Sequence, residues 1–151
     1  MPVTDELWEA WRTTTLRIHL PGGAVEVAAV PGGGADGPFP AGGPFHLVTA
    51  WNPGAEETPP AENARRHDRL VAGLAADGRR WYPSVGTSAD GTWHEEGVAL
   101  TGVTRAEAVA VADRFGQLAL YEWADGPDGL RVVVCATGEV VSWGWRSRPV
   151  A

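Results

Sequence analysis

Glycine and proline interrupt this chain so often that no regular element can run far: 20 Gly and 12 Pro stand among 151 residues, many of them in clusters. Pro21-Gly22-Gly23, Asn52-Pro53-Gly54, Asp90-Gly91 and Asp125-Gly126-Pro127-Asp128-Gly129 each mark a turn, because Gly supplies positive φ and Pro removes a ladder donor. The stretch 31–44 is too rich in both for regular structure. It lacks the GKS or GKT end and the following helix of a phosphate cradle, so it reads as a plain loop. Between the breaks lie short β-prone runs. Leu16, Ile18 and Leu20 alternate with polar neighbours and pair with 24–30 as a hairpin. Residues 45–51 are the natural central strand, 81–85 a strand that Pro83 demotes to a sheet edge, and 94–101, 117–123, 130–135 and 139–145 further strands.

Three segments have helical signals instead. Thr4 can cap a short helix to about residue 12, with Leu7, Trp8 and Trp11 on one face, suited to a lid or an edge brace. Thr58-Pro59-Pro60 opens a helix over 60–76 that stops at Gly78. Thr104-Arg105-Ala106-Glu107 is a capping box starting a helix over 104–115, ended by Gly116. From residue 45 onward the order is strand, helix, strand, strand, helix, strand. That order predicts an α+β fold: a ferredoxin-like split β-α-β sandwich with an antiparallel sheet, two main helices on one face, and added N- and C-terminal β-hairpins. One domain covers the chain, with a helix, hairpin and loop over 1–44, a core over 45–123 and C-terminal strands over 124–151.

Under that topology, residues far apart in sequence meet at one end of the sheet: Asn52 after the central strand, Asn63 at the first helix start, 84–86, Glu95 or Glu96, and Gln117. Asn63, Arg66, His67, Leu70 and Leu74 share one helical stripe, so Asn63 turns toward the sheet. It can serve a site or tie down the turn after Asn52. Glu95 and Glu96 point to opposite faces, and Glu95 shares its face with the small Gly97 and Ala99. Gln117 can line a site or cap backbone. Charge narrows the classes of function. The net charge is −7, and all basic residues are scattered Arg, which leaves no concentrated stripe for nucleic acid. No apolar stretch approaches a membrane span, and the acidic Thr4-Asp5-Glu6 lacks the basic opening of a signal peptide, so the expectation is a soluble, cytoplasmic chain. The single Cys135 excludes an internal disulfide, and no His spacing gives a metal site.

His46-Leu47-Val48-Thr49-Ala50-Trp51-Asn52-Pro53-Gly54, Glu62-Asn63-Ala64-Arg65-Arg66, Trp93-His94-Glu95-Glu96 and Arg114-Phe115-Gly116-Gln117-Leu118-Ala119 together resemble the bacterial domain family of unknown function DUF3293. The resemblance implies membership and no activity. Its pattern falls on Thr49, Asn52, Asn63, Trp93, Glu95 and Gln117, and so favours Glu95 over Glu96. The resulting expectation is a polar small-molecule site at one sheet end. Glu95 would be the catalytic group if the chain is an enzyme acting by proton transfer or hydrolysis, and Thr49, Trp51, Asn52, Asn63, Arg66, Trp93 and Gln117 would bind. No metal is expected and the cofactor is unknown. The alternative is a protein-interaction module or homodimer built on the terminal Trp8, Trp11, Trp143 and Trp145, since Trp is a favoured interface anchor.

Overall fold

A computed structural model describes residues 3–150. The elements run α1 (Asp5–Arg12), β1 (Thr15–Leu20), β2 (Gly23–Val30), a two-residue β3 (Ala35–Asp36), β4 (Phe45–Thr49), a 3-10 turn (Pro53–Ala55), α2 (Pro60–Ala76), β5 (Arg80–Thr87), β6 (His94–Thr101), α3 (Arg105–Arg114), β7 (Ala119–Trp123), β8 (Leu130–Val134) and β9 (Val140–Val150).

The sheet is not the open ferredoxin-like sandwich that the chain order predicts. Its strands lie in the order β2-β1-β5-β6-β4-β7-β8-β9, and β9 then pairs with β2, closing an eight-stranded antiparallel barrel. Closure comes from the far end of the chain: Ala24–Val30 runs antiparallel to 144–150, from Ala24 opposite Val150 to Val30 opposite Gly144. β9 runs five residues further than the 139–145 strand read from the sequence, pairing with β8 through residues 140–143 and with β2 beyond them. A closed barrel has no unpaired edges, so the N-terminal hairpin and the C-terminal strand are its wall rather than additions to a finished sheet. Pro83 is compatible with an inner strand because the β1–β5 ladder stops at Ile18 opposite Ser84, one residue short of it. Proline's missing N–H therefore costs no bond on that side.

Strand alternation now sorts residues between the inside and outside of a tube. Inward side chains of β1, β2, β4, β6, β7, β8 and β9 form one buried cluster, with Leu16, Ile18, Val25, Val27, Phe45, Leu47, Ala99, Trp123, Leu130 and Trp145. Outward Val48, Val98, Leu100, Leu120 and Val133 meet Leu70 and Leu74 of α2 and Ala108, Val111 and Ala112 of α3 in a second. Both larger helices thus cover one outer face of the barrel. Each buried Leu or Val contributes about 1.5–3 kcal/mol. The capping box at Thr104 and Glu107 is formed, and Gly78 and Gly116 end their helices at positive φ.

The two ends of the barrel differ. At the end where β4 begins and β7 finishes, Phe39 from the glycine-rich loop packs edge-on against Trp123, with ring centres 5.0 Å apart, and Trp123 packs on Trp145 at 5.3 Å. This aromatic plug fills the lumen there, and the loop that supplies it packs too closely on β9 for Gly144 to carry a Cβ without meeting the Gly33 backbone. The opposite end holds the site.

Candidate functional site

At that opposite end β4 and β5 finish, β1, β6 and β7 begin, and the inward side chains shrink or turn polar: Ser84, Gly86, Glu95, Gly97 and Ala119 replace the aliphatic filling. The result is a largely apolar cavity of about 350 Å³, inside the size range of small-molecule sites. Gly97 has a backbone reason to be small, since a Cβ there would lie 2.5 Å from the Val48 carbonyl oxygen on the paired strand. α1 borders the cavity with Leu7, Ala10 and Trp11. It is anchored by the Tyr121 hydroxyl, which donates to the Trp11 carbonyl at 2.7 Å from inside the barrel.

Asn52 links the cavity to the loop beside it. Its backbone is left-handed, φ 48°, three residues past the end of β4. Its amide nitrogen donates to Glu95 Oε2 at 2.9 Å, while its amide oxygen accepts from the Thr58 N–H and from Asn63 Nδ2. Asn63 Oδ1 accepts the Asn52 backbone N–H in return, so the two buried amides satisfy one another across eleven residues. Glu95 is half-buried at the mouth. Burial pushes its carboxyl above the ordinary Glu value, against the opposing pull of hydrogen bonds from Asn52 and Trp93. Tyr121 is shifted up too, first by burial and also by the Glu95 charge, so it stays a neutral phenol.

Asn52, Glu95, Gln117, Thr49 and Trp93 border this cavity. Asn63 sits behind Asn52 and holds the turn. Gln117 gives its amide N–H to the Trp51 carbonyl at 3.0 Å. Arg66 is spent on backbone, donating to the Ala50 carbonyl at 2.7 Å and to the Phe115 carbonyl at 2.5 Å. Trp51 contributes that carbonyl, while its ring packs edge-on to His94 with centres 5.6 Å apart. Glu96 is exposed on the outer side, as strand alternation from Glu95 requires.

Sequence reasoning alone does not bring in Leu7, Trp11, Thr14 and Tyr121, because their place depends on barrel closure and on α1 crossing its mouth. The parity of Tyr121 with Trp123 on β7 is the one signal that pointed inward. A second group was equally hidden. Glu122, outward on β7, accepts from Arg105 Nη2 and Arg131 Nη1, each at 2.7 Å, and lies 3.0 Å from His46 Nε2. These partners, Arg105 foremost, hold its carboxyl down at about 2. It clamps α3 to the wall away from the cavity. Burial pushes the Cys135 thiol up to about 11, so it stays protonated at neutral pH. Among the described residues no three potential ligands gather as a metal group, and no helix is long and apolar enough to cross a membrane.

Residues 48–120 match the model of one protein family, DUF3293, described as a protein of unknown function. Comparison with curated proteins and with solved structures finds no match.

Proposed function

Since the family model that matches residues 48–120, DUF3293, is of unknown function, the geometry must supply the assignment, and we propose that the open barrel end binds a small, largely apolar molecule whose polar end meets Glu95. The observation that carries this reading is a single desolvated carboxylate, braced by Asn52, set in the wall of an apolar cavity of about 350 Å³. A carboxylate kept out of water without a basic partner costs folding free energy, which is tolerated where the group has a use.

The chemistry such a site can perform is recognition and proton exchange. A carboxyl with its proton affinity raised toward neutrality is a better base than an ordinary Glu. Hydroxyls of Ser84 and Ser88 border the cavity with no His beside them there, so acyl transfer by an activated serine has no support. Of the four tryptophans behind the partner-based alternative, Trp145 is buried in the barrel and Trp11 borders the cavity, while Trp8 and Trp143 are half-buried and line a second hollow with Asp5, Glu9 and Arg12.

Native mass spectrometry of the protein purified from its own host tests the reading, alongside Gly86→Leu, whose new side chain grows into the cavity from a position where a Cβ makes only ordinary contacts at 3.5 Å. The expected result is a non-covalent small-molecule adduct on the wild type that is lost from Gly86→Leu and weakened in Glu95→Gln. Equal retention by all three proteins would place the adduct elsewhere and overturn the proposal.

A further inference from the structure

The hydrogen-bonding direction of the polar groups around the cavity narrows what can enter it. Six side chains there carry a donor that the protein has already used. Thr14 donates to the Ala10 carbonyl at 2.7 Å, Thr49 to the Glu96 carbonyl at 2.6 Å, and Ser88 to Asp90 at 2.7 Å. Tyr121 donates to the Trp11 carbonyl, Asn52 to Glu95, and Gln117 to the Trp51 carbonyl. What the wall still offers is acceptor capacity in the Gln117 amide oxygen, the hydroxyl lone pairs and, above all, the Glu95 carboxylate, together with uncharged donors in the second Asn52 N–H, the Trp11 indole N–H and the Ser84 hydroxyl. No Arg or His is in the cavity wall, and the sequence holds no Lys. The rings of Trp11, Trp93 and Tyr121, whose faces attract cations, border the same space.

A cavity with one negative charge, no cationic side chain and an aromatic, aliphatic wall is complementary to one chemical class. Resting on the reading that the barrel end is a ligand site, we propose that its ligand is an organic ammonium ion, a protonated primary or secondary amine on an apolar body, with the N–H groups directed to Glu95 and the body against the Leu7, Trp11 and Leu16 side of the cavity. An anion would meet Glu95 with no compensating positive charge in the wall, and a neutral alcohol would supply one donor where an ammonium supplies two or three. The net charge of −7 also raises the local concentration of cations over anions. Ser84, whose hydroxyl is not committed in this way, is the natural partner for any acceptor on the ligand body.

Three probes of similar size separate the possibilities: phenethylammonium, 2-phenylethanol and 3-phenylpropanoate, each titrated at about pH 7 against the fluorescence of the tryptophans at the cavity. The wild type should bind phenethylammonium at least about tenfold more tightly than 2-phenylethanol, and 3-phenylpropanoate least. In Glu95→Gln the ammonium should lose that advantage while the alcohol binds as before, which shows in the same titration that the variant is folded. Alcohol binding as tight as ammonium binding in the wild type, or a preference that survives Glu95→Gln, overturns the ammonium inference and leaves the cavity standing as a ligand site. Binding of the probes that Gly86→Leu leaves unchanged overturns both, because the probes would then sit outside the barrel end. Failure of all three to bind the wild type likewise counts against both.

Discussion

Asn52 adopts a left-handed backbone that most residues avoid, and its three side-chain contacts explain why the conformation is worth holding: it ties Thr58, Asn63 and Glu95 together from one position. Glu95 at the end of that chain behaves oppositely to Glu122. Its folded proton affinity is raised above 4.5, chiefly by burial. Below that pH the carboxyl is protonated in both states and contributes nothing; as pH rises past it, the unfolded chain ionises first and the folded state is penalised. Glu95→Gln should therefore melt at or above the wild-type temperature at about pH 7, with the gap closing by about pH 4. A large loss of stability at neutral pH would instead mark the carboxylate as a structural support. Glu122, held at about 2, contributes stability that is present above 4.5 and lost as pH falls through its folded value. Glu122→Gln should cost about 1.5–3 kcal/mol at neutral pH in a denaturant titration, since two guanidinium partners lose their charge-assisted bonds. Its cost should fade in acid, as the wild-type carboxylate protonates.

Helices were the most legible elements. The stripe of Asn63, Leu70 and Leu74 is buried as helical spacing requires, and the capping box at Thr104 was readable from four residues. Such signals are local, and local signals survive an error in topology. Thr104→Ala should cost about 1 kcal/mol in thermal melts and leave probe binding unchanged, because the cap lies beside Arg105 and Glu122 rather than at the cavity. A melt no different from that of an exposed surface control would mean the box contributes nothing. α1 was legible as an amphipathic helix but not in its place, since none of its residues is buried and its hold on the barrel is the single Tyr121 bond to Trp11 together with side-chain packing.

At the scale of the molecule, the neighbours β5-β6-β4-β7 follow from chain order, and this is why Asn52, Glu95 and Gln117 could be expected at one sheet end despite a wrong overall architecture. Closure was not legible, because it depends on a register between residues 24–30 and 144–150 with no local cue. The cross-strand ladder in which Glu26 meets Arg17 at 2.7 Å and Arg148 at 2.6 Å was in the sequence only as three scattered charges. Gly144 is where β9 passes from β8 to β2 with the Gly33 backbone packed on it, so Gly144→Ala should cost about 1–3 kcal/mol, read as a lower denaturation midpoint at unchanged slope. Closure also makes the cavity, since an open sheet would leave Glu95 on a solvated face.

That dependence points to a crystal structure of the protein grown with phenethylammonium as the most direct test. The account predicts electron density inside the barrel end, with the ammonium nitrogen about 2.7–2.9 Å from a Glu95 carboxylate oxygen and the ring on the Trp11 side. Amine density confined to the outer surface, or an unchanged cavity at concentrations that saturate the fluorescence titration, would contradict it.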